Sequence, residues 1–136
     1  LHPNESHLRV TYSELSDRIH CFYNELVDIQ ELYLISDAMI TDYSSVSFDF
    51  TYLGKPVIYY HFDPELFFAS GILRPIEETF LGDIVSDSSE LVQKLEEAVL
   101  RGFKEREDII PRKEGIFSVI DERNNERIMD SILDQK

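Results

Sequence analysis

The sequence predicts an α/β fold of the Rossmann type, in which a parallel sheet carries helices on both faces. Apolar runs of about four to eight residues alternate along the chain with longer segments of helical period. One of these runs, Ala38–Thr41, is too apolar for a half-exposed edge strand. Strands that alternate with helices are joined by right-handed crossovers, which makes the sheet parallel. A length of 136 residues suits one domain, so residues 1–136 are predicted to form a single domain.

The first half of the chain is predicted to contain two strands and two helices. "RIHCFY", Arg18–Tyr23, is predicted as a strand. "DIQELYLIS", Asp28–Ser36, is predicted as a short helix whose N-cap is Asp28. The buried strand Ala38–Thr41 follows, and then a helix over Ser44–Gly54. Gly54 is expected to end that helix, because glycine readily adopts the left-handed conformation that closes a helix.

The second half is predicted to continue the same alternation. Pro56–Tyr60 and Asp83–Asp87 are predicted as strands. Ser88–Gly102 is the clearest helix, since its apolar residues fall on one face and a Ser-x-x-Glu-like cap lies near its start. A final helix is predicted over Asn124–Gln135, whereas residues 103–121 are mixed in character and receive no assignment.

The charge and the cysteine content exclude several classes of function. Thirteen basic residues oppose twenty-seven acidic ones, which gives a net charge of −14 and disfavours binding to nucleic acid or to an anionic membrane. The single cysteine, Cys21, excludes an internal disulfide and a cysteine-based zinc cluster. No apolar run approaches the roughly 20 residues needed to span a bilayer, and residues 1–20 lack the apolar core of a signal peptide. One anionic ligand held by directed dipoles remains compatible with this composition.

The segment after the strand Ala38–Thr41 is the strongest candidate for a ligand site. It reads Thr41-Asp42-Tyr43-Ser44-Ser45 and lies between a predicted strand and a predicted helix, where open parallel sheets bind ligands. A helix N-terminus offers unpaired N–H groups and partial positive charge, so it suits a phosphate without Lys or Arg. The alternative is that Asp42 or Ser44 only caps the helix.

Asp49 is a second candidate on the same predicted helix. It follows Ser45 by just over one turn and lies between Phe48 and Phe50. A carboxylate that faces the ligand end of the helix could accept hydrogen bonds from ribose hydroxyls. The alternative is an exposed helix charge, and the spacing alone leaves both interpretations open.

These residues resemble a known family. The stretch "LYLISDAMITDYSSVSFDFTYLGKPVIYY" closely resembles the signature of the CDP-glycerol glycerophosphotransferases, the teichoic acid polymerase family. "LHP" at the start of the chain resembles the family's His-Pro motif, and "NNERIMDSIL" resembles its closing helix. The resemblance covers most of the chain and is densest from Asp28 to Asp63.

The resemblance implies a transferase of GT-B type, of which this chain is the C-terminal, donor-binding half. Since the chain begins at Leu1 without a methionine, we expect a piece of a larger two-domain enzyme. Members of the family transfer glycerol phosphate or ribitol phosphate from CDP to a growing, lipid-linked polyol phosphate polymer, and release CMP. They work as peripheral proteins at the cytoplasmic face of the bacterial plasma membrane, which is the expected location here.

The resemblance also assigns roles to individual residues. Ser44 and Ser45 are expected to hold the donor pyrophosphate, and Asp49 is expected to bind the cytidine ribose. His2 corresponds to a functional histidine that neutralises or protonates the departing phosphate. No metal or other cofactor is expected, because the sequence contains no Asp-x-Asp and a helix dipole with histidine can stabilise that phosphate.

The chain departs from the family pattern after Asp63. Phe67–Pro75 and Phe80–Asp83 replace the family's Arg-Gly and Gly-Pro pairs, and Arg74 is a candidate substitute for a phosphate-facing arginine. This region is expected to shape the alditol pocket, and the loop Tyr23–Asp28 is expected to form the base pocket. His61 ends a strand near the ligand edge and is a weaker candidate. The histidine that activates the acceptor hydroxyl belongs upstream of Leu1, so these 136 residues alone are expected to be inactive.

Three functions remain open at this stage. The first is the donor-binding domain of a CDP-glycerol glycerophosphotransferase, with CDP-ribitol as a close variant. The second keeps the fold but uses a UDP-sugar or a CMP-sugar, as in a glycosyltransferase or epimerase half. The third is a non-enzymatic α/β module that recognises a partner protein, for which no nucleotide would stabilise the chain.

Overall fold

A computed structural model of the chain describes residues 16–20, 22, 27–69, 71 and 75–134. The chain divides into two compact units, Leu1–Ser36 and Asp37–Lys136. The sheet and the cavity described below belong entirely to the second unit.

The first unit contains the predicted helix that Asp28 caps. Helix α1 spans Ile29–Ile35, and the Asp28 carboxylate accepts a hydrogen bond from the backbone N–H of Gln30 at 2.9 Å. This bond satisfies one of the N–H groups that the first turn of a helix leaves without a partner. The helix and its cap are therefore as the sequence predicts.

The strand predicted over Arg18–Tyr23 is wrong for the residues that the structure describes. Arg18 lies in a turn, and Ile19, His20 and Phe22 belong to no strand. Ser16 holds this turn, because its carbonyl accepts from Ile19 N–H at 3.1 Å and its hydroxyl accepts from Arg18 N–H at 3.1 Å. Local bonds of this kind compete with strand pairing, and apolar alternation alone does not reveal them.

The second unit is built on a parallel sheet of three strands in the order β1-β2-β3. Strand β1 spans Met39–Thr41, β2 spans Val57–Tyr60 and β3 spans Asp83–Val85. In the register, Ile40 pairs with Ile58, and Ile58 pairs with Asp83. This is the parallel arrangement that the alternating sequence pattern predicts, and the carboxyl ends of the three strands share one edge.

The central strand is covered on both faces, whereas the two outer strands of the described sheet are not. Ile40 of β1 is 49% exposed and Ile84 of β3 is 39% exposed, so the prediction that Ala38–Thr41 is too apolar for a half-exposed edge strand is wrong, because β1 has a neighbouring strand on one side only. Val57, Ile58 and Tyr59 are all essentially inaccessible to solvent, although consecutive side chains point to opposite faces. Helix α2 (Val46–Tyr52) contacts β1 and β2, and helix α5 (Ser88–Leu100) contacts β2 and β3. The second unit thus has the α/β, Rossmann-like architecture that the sequence predicts.

Helix α2 is shorter than its predicted range of Ser44–Gly54. It begins after Ser45 and ends at Tyr52. Gly54 follows with a φ of 75°, and its N–H donates to the Thr51 carbonyl at 2.9 Å. Only glycine adopts this left-handed conformation without a steric penalty, so the predicted role of Gly54 is confirmed.

Helix α5 begins at Ser88 as predicted and ends at Leu100, two residues before the predicted Gly102. Asp87, rather than a serine, caps it by accepting from the N–H groups of Ser89 at 2.7 Å and Glu90 at 3.0 Å. The Glu90 side chain reaches back and accepts from the Ser86 N–H at 3.0 Å. Aspartate competes well with serine for the N-cap position, which explains why it takes this role.

The remaining described helices are short or peripheral. They are α3 (Pro64–Phe67), α4 (Ile76–Thr79), α6 (Ile109–Glu114) and α7 (Asn124–Leu133). Helix α7 confirms the predicted final helix, whereas α6 lies in the segment that the sequence left unassigned. None of the described helices is long and apolar enough to cross a membrane.

Candidate functional site

A cavity of about 490 Å³ opens at the carboxyl edge of the sheet. Its walls come from the start of α2, from α3 and the turn after it, from the end of α4, and from the residues after α6. The lining residues are Tyr43, Ser44, Ser45, Ser47, Phe48, Phe67, Phe68, Gly71, Glu78, Thr79, Phe80 and Ile116. Its size falls within the range of about 300–1,000 Å³ that small-molecule sites occupy.

The two adjacent serines lie where the sequence placed them, at the transition from β1 to α2. Ser45 is the N-cap residue of α2, but its side chain makes no capping hydrogen bond. Ser47, which is buried, donates its hydroxyl to the Ser44 carbonyl at 2.8 Å. The turn is therefore tightened by Ser47, and the Ser45 hydroxyl is not used in capping its own helix.

An aromatic column lies beside the serines and consists of His61, Tyr43 and Phe67, of which Tyr43 and Phe67 line the cavity. Tyr43 stacks on Phe67 with ring centres 3.8 Å apart and on His61 with ring centres 4.3 Å apart, and both pairs are close to parallel. Two rings at these distances cannot share one face of Tyr43, so Tyr43 lies between them. The column runs from His61, which is 3% exposed, to Phe67, which is 54% exposed.

Tyr43 is held in this position by a polar contact as well as by stacking. Its hydroxyl donates to a carboxylate oxygen of Asp63 at 3.1 Å. Burial raises the pKa of Tyr43, and the hydrogen bond to Asp63 raises it further because the carboxylate favours the protonated phenol. Tyr43 therefore acts as a neutral donor that links the end of β1 to the residues that follow β2.

His61 stays neutral over a wider pH range than an exposed histidine. Burial lowers its pKa, while a hydrogen bond from the ring to the backbone of Asp42 and the charges of Asp42 and Asp63 oppose that change. Its Nε2 is buried and has no hydrogen-bond partner among the described residues. A charged imidazole would be poorly accommodated among the surrounding rings of Tyr43, Phe68 and Phe80.

Replacing His61 by phenylalanine is expected to reduce the acid sensitivity of folding. The unfolded chain takes up a proton on His61 near its ordinary pKa of about 6.5, whereas the folded protein takes it up only at lower pH. The free energy of unfolding of the wild type therefore falls as the pH drops below about 6.5, and His61→Phe removes this contribution. Urea unfolding between pH 7.5 and 5.5 measures the slope, with His20→Phe as the control for an exposed histidine. Equal slopes in wild type and His61→Phe would contradict the assignment.

The structure brings together three of the donor-binding residues suggested by the sequence. Tyr43, Ser44 and Ser45 line the cavity. Thr41 is the last residue of β1, and Asp42 is exposed with its backbone near His61; neither lines the cavity.

Three further candidates lie away from the cavity or outside the described part. Asp49 is exposed on α2 and does not line the cavity. His2 and Arg74 lie outside the described residues. So does most of the loop that was expected to form the base pocket, residues 23–26.

Sequence reasoning expected the segments Phe67–Pro75 and Phe80–Asp83 to shape a pocket, but it predicted neither an aromatic wall nor a carboxylate there. Phe67, Phe68 and Phe80 stand in those segments, and Glu78 is the only charged residue among the described lining residues. The paired phenylalanines after Asp63 were the available signal for the aromatic wall.

Neither a metal nor a basic side chain contributes to the described part of this site. No group of three or more His, Cys, Asp or Glu side chains is arranged to hold a metal ion within residues 16–20, 22, 27–69, 71 and 75–134. No Lys or Arg belongs to the described lining of the cavity. Hydrogen-bond donors for an anion would therefore come from serine hydroxyls and backbone N–H groups.

Comparison with known proteins gives one family over nearly the whole chain. The model of the family described as CDP-Glycerol:Poly(glycerophosphate) glycerophosphotransferase matches residues 1–134. Minor teichoic acid biosynthesis protein GgaB of Bacillus subtilis is 33% identical over 77% of this chain and 12% of its own length. A teichoic acid glycerol-phosphate transferase of Staphylococcus aureus is 40% identical over 52% of this chain and 18% of its own length.

A relative named for ribitol matches as well. The teichoic acid poly(ribitol-phosphate) polymerase of Bacillus spizizenii is 26% identical over 98% of this chain and 21% of its own length. The chain thus spans about a fifth or less of each of these relatives. No solved structure matches the chain significantly.

Proposed function

The chain belongs to the CDP-glycerol:poly(glycerophosphate) glycerophosphotransferase family, and we propose that it forms the donor-binding part of a teichoic acid polyol-phosphate transferase. The observation that carries this proposal is the cavity at the carboxyl edge of the sheet, where Tyr43, Ser44 and Ser45 of the family-like segment form one wall. In an open α/β sheet this edge is where nucleotides bind. The full-length enzyme would be a GT-B transferase with this chain as a part of its C-terminal, donor-binding half.

The proposed reaction moves glycerol phosphate from CDP-glycerol to a polyol phosphate polymer. A hydroxyl oxygen of the acceptor attacks the phosphorus that carries glycerol, and its proton passes to a general base. The bond between that phosphorus and the bridging oxygen breaks, and CMP leaves with the electron pair. In this scheme His2 would neutralise or protonate the departing CMP phosphate.

The serines are proposed to hold the donor pyrophosphate. The Ser45 side chain does not cap α2, so its hydroxyl can donate to a phosphate oxygen in the cavity. Thr41, Asp42 and Tyr43 are proposed to shape this end of the site, with Tyr43 fixed by stacking and by Asp63. Asp49 is proposed for the ribose, although its exposed position on α2 makes it the weakest member of the set.

The alditol of the donor is the main alternative within this function. Relatives of the chain are named for glycerol phosphate and for ribitol phosphate, so CDP-ribitol is the second candidate donor. The acceptor is proposed to be a lipid-linked polyol phosphate, bound by the full-length protein. The proposed place of work is the cytoplasmic face of the plasma membrane, reached through peripheral association.

Calorimetric titration of the chain with CDP-glycerol, CDP-ribitol, CDP and UDP-N-acetylglucosamine tests the proposal. The cytidine diphosphates are expected to bind. Ser45→Ala is expected to lower their affinity about five- to tenfold, which is the effect of one lost hydrogen bond. Asp49→Ala tests the ribose contact in the same way. Ser88→Ala, at the first residue of α5 and outside the cavity lining, is the matched control.

Two outcomes would contradict this function. Preferential binding of UDP-N-acetylglucosamine would indicate a sugar transferase. The absence of nucleotide binding, together with an unchanged melting temperature in the presence of CDP-glycerol, would indicate a protein-interaction module.

A further inference from the structure

The cavity lining contains two chemically different groups of residues. Ser44 and Ser45 offer hydroxyl groups, whereas Phe67, Phe68 and Phe80 present aromatic rings. An alditol phosphate presents hydroxyls and phosphate oxygens in every direction and has no flat apolar face. A wall of aromatic rings is therefore matched to the planar part of the donor, which is its nucleobase.

The aromatic column has the geometry of a stacking platform. Tyr43 covers one face of Phe67 at 3.8 Å, yet Phe67 remains 54% exposed while lining the cavity. The exposed fraction therefore belongs to the rest of the ring. Phe68 stands nearly perpendicular to Phe67, with ring centres 5.1 Å apart, and supports it from the side. A planar base that adds to this column would meet a surface whose orientation is already fixed.

Glu78 gives the cavity a polar preference. It is the only charged residue among the described residues of the lining, and it is exposed at the end of α4. Thr79 beside it donates its hydroxyl to the Pro75 carbonyl at 2.9 Å, so the Glu78 carboxylate is the clearest acceptor among the described lining residues near Phe80 in the chain. An ionised carboxylate only accepts hydrogen bonds. Cytosine presents an amino group where uracil presents a carbonyl oxygen.

We propose that the aromatic rings of the cavity lining bind the cytosine ring of the donor, with Phe67 as the stacking surface and Glu78 as the acceptor for the exocyclic amino group. This inference rests on the proposed function and adds the residues that select cytosine over uracil. It also relocates the base, since the sequence suggested that residues 67–75 shape the alditol pocket and that a loop before α1 holds the base. Glu78 would repel the O4 oxygen of uracil as well as attract the amino group of cytosine.

Titration with CDP and UDP tests the assignment, because the two probes carry identical phosphates and differ at the base. The wild-type chain is expected to bind CDP about tenfold more tightly than UDP. Glu78→Gln is expected to reduce this ratio to about one to two, because an amide can donate to O4 as readily as it accepts from the amino group. Glu65→Gln is the matched control, since Glu65 is exposed on α3 and does not line the cavity.

Removing the stacking surface is the second arm of the experiment. Phe67→Ala is expected to lower the affinities for CDP and UDP equally, by about tenfold, and to leave the affinity for inorganic pyrophosphate unchanged. Phe62→Ala is the control, because Phe62 is also more than half exposed but lies outside the cavity lining. Thermal unfolding of each variant confirms that the chain remains folded.

The outcomes separate this inference from the function on which it rests. In one outcome, CDP-glycerol binds and Ser45→Ala lowers its affinity, but the ratio of CDP affinity to UDP affinity is the same in Glu78→Gln as in wild type. This outcome overturns the base assignment and leaves the proposed function standing. Unchanged CDP affinity in Phe67→Ala would also overturn it. If neither diphosphate binds, both the assignment and the proposed function fail.

Discussion

Gly82→Ala is expected to lower the free energy of unfolding by about 3 kcal/mol or more. Gly82 immediately precedes β3, and a Cβ atom built at this position would clash with the Val57 carbonyl oxygen and would lie 3.0 Å from the Tyr59 ring. The closer of these contacts is with a backbone atom in the centre of the sheet, which cannot rotate away as a side chain can. The clash is therefore relieved only if β3 and β2 move apart. The same shift would displace Phe80, which lines the cavity, so nucleotide affinity is expected to fall as well.

Urea unfolding of Gly82→Ala and Gly115→Ala measures this effect against a matched control. Gly115 follows α6 with a φ of −73°, and a Cβ there would meet nothing closer than the Arg112 carbonyl oxygen at 3.4 Å. Its replacement is expected to change stability by less than about 1 kcal/mol. Equal effects of the two substitutions would show that the close approach at Gly82 does not determine the packing of β3.

Lys113→Met is expected to cost about 3 kcal/mol through the carboxylate that it leaves unpaired. The Lys113 ammonium donates to Glu105 at 3.0 Å, and the two side chains are only 7% and 11% exposed. Methionine keeps the length and the apolar stem of lysine, so the change isolates the lost charge. The other Glu105 oxygen already has no hydrogen-bond partner among the described residues, which makes an unpaired carboxylate still less favourable.

A double-mutant cycle distinguishes the cost of the unpaired charge from the value of the ion pair. Lys113→Met combined with Glu105→Leu is expected to recover most of the lost stability, because apolar replacement of a buried pair is often nearly neutral. Arg123→Met is the surface control, since the Arg123 and Glu126 side chains are 72% and 63% exposed, and its effect is expected to be close to zero. Additive effects in the cycle would show that Lys113 and Glu105 stabilise the fold independently.

The position of Lys113 connects the ion pair between Lys113 and Glu105 to the wall of the cavity. Lys113 lies in α6, and Ile116, two residues beyond that helix, lines the cavity. The N–H of Ile116 donates to the Lys113 carbonyl at 2.9 Å, so the helix and the cavity wall move together. Loss of the pair is therefore expected to loosen this wall before the sheet itself is affected.

Much of the fold could be predicted from the sequence because its signals are local. The apolar runs that became β1 and β2, the Asp28 cap of α1 and the glycine that closes α2 depend on the chemistry of a few consecutive residues. The wrongly predicted strand near Arg18 had the same apolar alternation. There the hydroxyl and carbonyl of Ser16 formed a turn instead, and a pattern of hydrophobicity does not report such bonds.

The candidate site likewise contains some residues that the sequence could predict and others that it could not. The adjacent serines after β1 could be found because a strand, a short polar segment and a helix follow one another directly in the chain. Glu78 and Ile116 could not, since they come from separate segments that only the folded chain brings to one cavity, and Phe67 was expected at a pocket only through the family resemblance. Asp49 was suggested by its spacing along a helix, yet it lies exposed and outside the lining, because spacing fixes a position on a helix but not the surface that the helix buries.

The sequence by itself determined the alternation of strands and helices in the second unit, the Asp28 cap of α1, the glycine that closes α2, the family and the serine pair at the sheet edge, because each depends on neighbouring residues or on a continuous motif. The tertiary structure alone decided which rings stack on Tyr43, why Gly82 admits no side chain, and how Lys113 and Glu105 are paired while buried. These features join residues that are distant along the chain. Their energies depend on distances and burial, which exist only once the segments have packed together.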